Sequence, residues 1–189
     1  MKDASNQDWD LCYDRNRDFS LMTSQALTNV IAHVDARLEK TCLDLGCGTG
    51  QLTRELFHRG YDCVGVDFAQ SAVRIAQGLT TQVSHLVYVQ GDIEALEPTD
   101  LPRQQFSLVT CKLVFAFIAD KDRFVKFVHA LLPPGGTFVI ITPVFGSKIS
   151  EKKPAICVDR SETEEQLRGY FSSVMVETLG EVEYFTARR

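Results

Sequence analysis

Apolar residues recur along this chain in two alternating rhythms. Leu27, Val30, Ile31, Val34 and Leu38 are spaced as one face of a helix, and the run TCLDL that follows ends at a glycine cluster, as a buried strand does. After GCGTG, Leu52, Leu56 and Phe57 predict a helix closed by Gly60, and YDCVGVD predicts a second strand. Ala72, Ile75, Ala76 and Leu79 mark the next helix, HLVYVQ before Gly91 and Asp92 a third strand, and FSLVTC a fourth. Asp120 is placed to cap a helix whose Phe124, Phe127, Val128 and Leu131 share a face, and Pro133, Pro134, Gly135 and Gly136 stop it before the fifth strand, TFVIIT. Ser161 with Glu164 reads as the capping box of a last helix, containing Leu167 and Tyr170. SSVMVETL and VEYFTAR, around Gly180 and Glu181, predict a closing β-hairpin.

Strands that alternate with helices predict an α/β fold: a three-layer αβα sandwich on a mostly parallel seven-stranded sheet with right-handed crossovers and a C-terminal antiparallel hairpin strand. Neither an internal repeat nor a Gly/Ser-rich linker divides the chain, so one domain over residues 1–189 is expected. Ligands of such sheets bind beyond the carboxyl ends of the strands, at the point where the winding reverses. The glycine loop, Asp67, Asp92 and Cys111 all fall at such ends.

Composition narrows the partners. The net charge is −5 with no sustained Lys/Arg stripe, which argues against a nucleic-acid partner. No apolar run reaches the roughly 18 to 20 residues of a membrane span, and MKDASNQDWD lacks the basic flank and apolar core of a signal peptide, so no membrane association and a cytoplasmic location are expected. The six cysteines include no CxxC pair and no histidine cluster accompanies them, so no metal is expected. Cys42, Cys63 and Cys111 lie in strand-like segments and read as reduced core thiols.

The candidate chemistry centres on Leu43-Asp44-Leu45-Gly46-Cys47-Gly48-Thr49-Gly50. Three glycines between a strand and a helix let the backbone turn tightly and approach a ligand without a Cβ in the way. The N–H groups of the following helix favour an anionic group, and the glycines alone do not choose between phosphate and carboxylate. Asp67 ends the second strand, where an acid accepts hydrogen bonds from two ribose hydroxyls and repels a 2′-phosphorylated ribose.

LDLGCGTG, VGVD, GDIEAL, FSLVTCKLV and LLPPGGTFVI resemble, in order and spacing, the successive motifs of the class I S-adenosylmethionine-dependent methyltransferase family, with its Rossmann-like sheet and terminal hairpin. The resemblance covers residues 40 to 189. It implies S-adenosyl-L-methionine as cofactor, with Gly46, Cys47, Gly48 and Gly50 around the methionine part and Asp67 on the ribose hydroxyls. Asp92 would take the adenine amino group, and Phe68 and Ile93 would sandwich the ring. The Cys111–Lys112 backbone would face the ligand's ammonium, which Asp44 would support from below the loop. Residues 1–40 would form a helical lid segment over a cofactor-binding core of residues 41–189, with WDLCYDRNRDFS folding over the cofactor.

A sulfonium methyl is already activated, so the protein mainly has to align a nucleophile with it, and no covalent residue is required. Tyr13, Phe19, Phe115 and Phe145 are the candidate acceptor-binding residues, with Trp9 and Phe117 as further aromatics. None of the four histidines falls at a strand's carboxyl end, so no general base is named. The Asn/Asp-Pro-Pro-aromatic motif that recognises planar nitrogens in relatives is missing, which favours a small-molecule acceptor. PVFGSKISEKKPAICVDR, about eighteen residues after the fifth strand, is a candidate substrate loop. A monomer or a homodimer is expected. Two rivals share the fold. A nicotinamide-dependent oxidoreductase would carry GxGxxG, but Gln51 stands at the third glycine's site. A non-catalytic methyltransferase-like partner would keep the fold to bind another subunit, yet has no physical need for an acid at Asp67.

Overall fold

The computed structural model describes residues 24–80 and 83–189. Their order is α1 (Ser24–Ala32), β1 (Thr41–Leu45), α2 (Gln51–His58), β2 (Asp62–Asp67), α3 (Gln70–Gly78), β3 (Leu86–Gln90), β4 (Leu108–Lys112), α4 (Lys121–Leu131), β5 (Thr137–Thr142), α5 (Lys148–Lys152), α6 (Arg160–Arg168), β6 (Ser173–Leu179) and β7 (Val182–Arg188). The seven strands form one sheet in the order β3-β2-β1-β4-β5-β7-β6. Six run in one direction, β7 alone runs against them, between β5 and β6, and the winding reverses between β1 and β4.

Alternation along the strands builds a core on each face. Leu43, Leu45, Val109, Phe138, Ile140 and Phe185 point to one side, under α4 and α6; Cys42, Cys63, Leu108, Val139, Ile141 and Tyr184 point to the other, under α1, α2 and α3. The sandwich therefore has the three layers the pattern predicts. Cys42, Cys63 and Cys111 are wholly buried free thiols. Among the described residues no helix is long and apolar enough to cross a membrane.

The structure redraws four local expectations. The helical spacing runs on to Leu38, but α1 stops at Ala32 because the Asp35 carboxylate accepts the Arg37 N–H at 3.0 Å, an Asx turn that competes with the helix. Leu79 follows the last residue of α3 and is 61% exposed rather than core-facing. The cap of α6 is Asp159, whose Oδ1 accepts the Glu162 N–H at 2.8 Å, so the helix begins before the Ser161–Glu164 pair can act as its box. The segment after β5 is not an irregular loop: it holds α5, a 3₁₀ turn over Pro154–Ile156 and a bridge between Val144 and Val158 that pins its two ends together.

Candidate cofactor-binding site

The site lies where the winding reverses, at the carboxyl ends of β1, β2, β3 and β4. Gly46, Gly48 and Gly50 all take positive φ (74°, 54° and 77°), so the loop folds through a conformation that residues with a Cβ rarely adopt. Gly46 N and Cys47 N donate to Val66 O at 2.8 and 3.0 Å, and Gly50 N donates to Cys47 O at 2.9 Å. Two of the glycines owe their missing Cβ to packing within the protein. At Gly46 an added Cβ would sit 2.4 Å from Val114 Cγ2, and at Gly50 it would sit 2.3 Å from the Tyr88 hydroxyl.

Tyr88 is a residue that sequence reasoning passed over. It pairs in register with Gly65, where a Cβ would stand 2.7 Å from the ring, so the phenol crosses β2 through the slot that glycine leaves and reaches the start of α2. Its hydroxyl donates to Gly50 O at 3.2 Å, and burial pushes its pKa up to about 12, keeping that proton in place. A glycine in the middle of an apolar strand was the available signal. Val114 reaches Gly46 by another device: Leu113, with φ 60°, is the one non-glycine residue of the described chain at positive φ, and it turns the backbone as β4 ends. That conformation costs a branched side chain roughly 1–2 kcal/mol.

Asp44, 1% exposed, lies beneath the loop. Its Oδ2 accepts the Thr53 hydroxyl at 2.7 Å and its Oδ1 the Thr110 hydroxyl at 2.8 Å, joining β1 to α2 and to β4 across the switch point. Burial raises its pKa above the ordinary carboxylate value, opposed by the two threonines and by the positive charge of Lys112. No short-range pattern pointed to Thr53 or Thr110. Because the folded protein holds the Asp44 proton more tightly than the unfolded chain, the contribution of this group is full below the ordinary carboxylate range and is lost as pH rises through its raised pKa. Urea unfolding between roughly pH 4 and 7 should therefore show the stability difference between the protein and an Asp44→Asn variant moving against the protein as pH rises. A pH-independent difference would refute this.

Asp67, 5% exposed at the end of β2, is held from two sides. Gly48 N donates to its Oδ2 at 2.8 Å and Ala69 N to its Oδ1 at 2.9 Å, so the acid links the glycine loop to the entry of α3. Phe68 follows half-buried, and Gly91 N donates to Asp67 O at 3.0 Å, which brings the loop after β3 alongside. There Asp92 is exposed and its Oδ1 accepts the Glu94 N–H at 3.0 Å, while Ile93 packs partly into the core. Cys111, wholly buried, lies next to last in β4, and burial pushes its thiol pKa up. Lys112 is half-buried, with its charge felt at Asp44. The structure thus brings Asp44, the glycine loop, Asp67, Phe68, Asp92, Ile93, Cys111 and Lys112 to one end of the sheet.

The acceptor-side aromatics divide. Phe115 is wholly buried, its ring 6.1 Å from that of Phe124; it belongs to the core because the 3₁₀ turn over Phe115–Phe117 tucks it under α4, and it offers an acceptor no surface. Phe145 is 56% exposed on the segment after β5. Trp9, Tyr13 and Phe19 lie outside the described residues, as does most of the lid segment.

Residues 43–140 match the family described as a methyltransferase domain. The chain belongs to this methyltransferase family. A ubiquinone biosynthesis O-methyltransferase of Coxiella burnetii is 33% identical over 104 residues, 54% of this chain and 43% of that protein. A trans-aconitate 2-methyltransferase of Yersinia pseudotuberculosis is 28% identical over 140 residues, 72% of this chain and 50% of that protein. The chain thus spans at most about half the length of these curated relatives. In fold it is similar to an S-adenosylmethionine-dependent methyltransferase of Mesorhizobium loti, at a TM-score of 0.67 and 19% identity, over 87% of this chain and 96% of that one. The class I methyltransferase fold follows, and with it S-adenosylmethionine as the family's cofactor.

Proposed function

We propose that this methyltransferase domain transfers a methyl group from S-adenosylmethionine to a small-molecule acceptor, with the cofactor lying across the carboxyl ends of β1 to β4. The observation that carries this reading is Asp67: a buried acid at the end of β2, tied to both the glycine loop and the entry of α3, is where a ribose diol needs its acceptor. On this reading Gly46, Cys47, Gly48 and Gly50 border the methionine part. Asp44 supplies negative charge below its ammonium and the Cys111–Lys112 backbone faces it. Phe68 and Ile93 flank the adenine, and Asp92 accepts from its amino group. When bound, the cofactor supplies a methyl group already activated on sulfur. The protein's own work is to orient the acceptor and keep water out.

Phe145 and the segment around it are assigned to the acceptor side, with Tyr13 and Phe19 contributed by the lid at residues 1–40. The relatives' names, an O-methyltransferase and a trans-aconitate methyltransferase, support a small molecule with an oxygen nucleophile as the first acceptor to try. We place the protein in the cytoplasm, as one domain over residues 1–189 and as a monomer or homodimer, without nucleic acid. Titration calorimetry with S-adenosylmethionine, S-adenosylhomocysteine and NAD in parallel tests the reading. Micromolar binding of the two adenosyl-sulfur ligands and not of NAD is expected; binding of NAD alone, or of none of the three, overturns it. Methyl transfer to a panel of hydroxyl and carboxylate compounds then separates an enzyme from a non-catalytic partner protein.

A further inference from the structure

We propose that Glu94 is a positioning residue that couples the cofactor side of the site to its acceptor side. The inference rests on the cofactor placement above. Glu94 stands in the loop after β3, two residues beyond Asp92. The loop is closed on itself, since Asp92 Oδ1 accepts Glu94 N at 3.0 Å and Ala95 N donates to Asp92 O at 3.0 Å. It is also moored to Asp67 through Gly91 N. From this fixed base the Glu94 side chain reaches the segment after β4, where its Oε1 accepts Ala119 N at 2.8 Å and Asp120 N at 3.2 Å. Those two amides belong to the cap of α4 and the residue before it, at the helix end where a carboxylate is favoured by the helix dipole. Asp120 meanwhile spends its own carboxylate on Arg123 N at 3.0 Å. One carboxylate oxygen thus joins the two loops.

The segment it holds adjoins the acceptor side assigned above to Phe145 and its neighbours. It runs from Leu113, at φ 60°, through the Phe115–Phe117 turn, which packs against the Pro154–Ile156 turn beyond Phe145. A second tie, Arg123 of α4 to Glu97 at 3.5 Å, lies between exposed side chains, where an ion pair contributes little. Ordering of the Asp92–Ile93 loop by an adenine is therefore transmitted through Glu94 to the segment that packs beside the acceptor side.

Hydrogen–deuterium exchange of the full chain, with and without S-adenosylhomocysteine, tests this. In the unaltered protein the ligand is expected to slow exchange in both residues 91–96 and residues 115–120, by about tenfold. In Glu94→Ala, residues 91–96 should still respond while residues 115–120 no longer do. Glu94→Gln, which keeps an acceptor oxygen, should restore the second response. If Glu94→Ala fails to fold, Glu94→Asp breaks the same bonds by being one methylene shorter. A response of residues 115–120 that survives in the Ala or Asp variant, or that is missing from the unaltered protein while residues 91–96 respond, overturns the coupling. No response anywhere at saturating ligand instead overturns the cofactor placement, and the coupling falls with it.

Discussion

An Asp67→Ala variant is expected to bind S-adenosylhomocysteine at least tenfold more weakly than the unaltered protein. Each hydroxyl bonded to a charged acceptor contributes roughly 1.5–3 kcal/mol, and about 1.4 kcal/mol is a factor of ten in affinity, so even one lost bond reaches that threshold. The structure adds a second effect. Gly48 N and Ala69 N lose their acceptor together, so the glycine loop and the entry of α3 are no longer tied to a common anchor. The variant should therefore also be less stable, by about 1–3 kcal/mol for each donor left buried without a partner. Asp67→Asn, which keeps one carbonyl oxygen, should fall between the two. Calorimetry on material shown to be folded by circular dichroism measures the affinity. Undiminished binding by folded Asp67→Ala would remove Asp67 from the site.

Gly50→Ala is expected to destabilise the fold itself, by about 2–5 kcal/mol. Two causes add. The backbone at φ 77° suits glycine, and a left-handed conformation costs other residues roughly 1–2 kcal/mol. The new methyl would also stand 2.3 Å from the Tyr88 hydroxyl and 2.6 Å from ring carbons, and forcing extra atoms into a packed interior costs about 1–3 kcal/mol. The ring has little room to yield, because it sits in the slot above Gly65 and is hydrogen-bonded to Gly50 O. Denaturant unfolding of Gly50→Ala alone and combined with Tyr88→Leu separates the causes: the steric part should be relieved by the smaller side chain and the backbone part should persist. A single variant as stable as the parent would show that the loop can relax around the methyl.

Much of this molecule was legible from the chain. Strand and helix periods are local properties of a few neighbouring residues, so TFVIIT could be read as β5 to the residue and Asp120 as the cap of α4. The glycine loop and Asp67 were legible for the same reason: the positive φ of Gly46, Gly48 and Gly50 and the position of an acid ending a strand are both written in consecutive residues. Where two local signals competed, the sequence was ambiguous, as at α6, where Asp159 takes the cap ahead of Ser161.

What the tertiary structure decided were the partners across long sequence separations. Asp44 meets Thr110, and Glu94 meets Ala119, only because the sheet order sets β1 beside β4 and brings the loops after β3 and β4 to one rim. Phe115 and Phe145 are the same residue type with the same apolar surface, yet one is sealed under α4 and the other stands in solvent, since burial depends on what packs above a residue and not on its identity. The sequence by itself determined the layers, the loop and the acid at the end of β2, because each follows from local spacing and residue chemistry. The pairing that holds the loop from beneath, the ring that fills the slot at Gly65 and the oxygen that ties the two loops together were decided by contacts that exist only once the sheet has assembled.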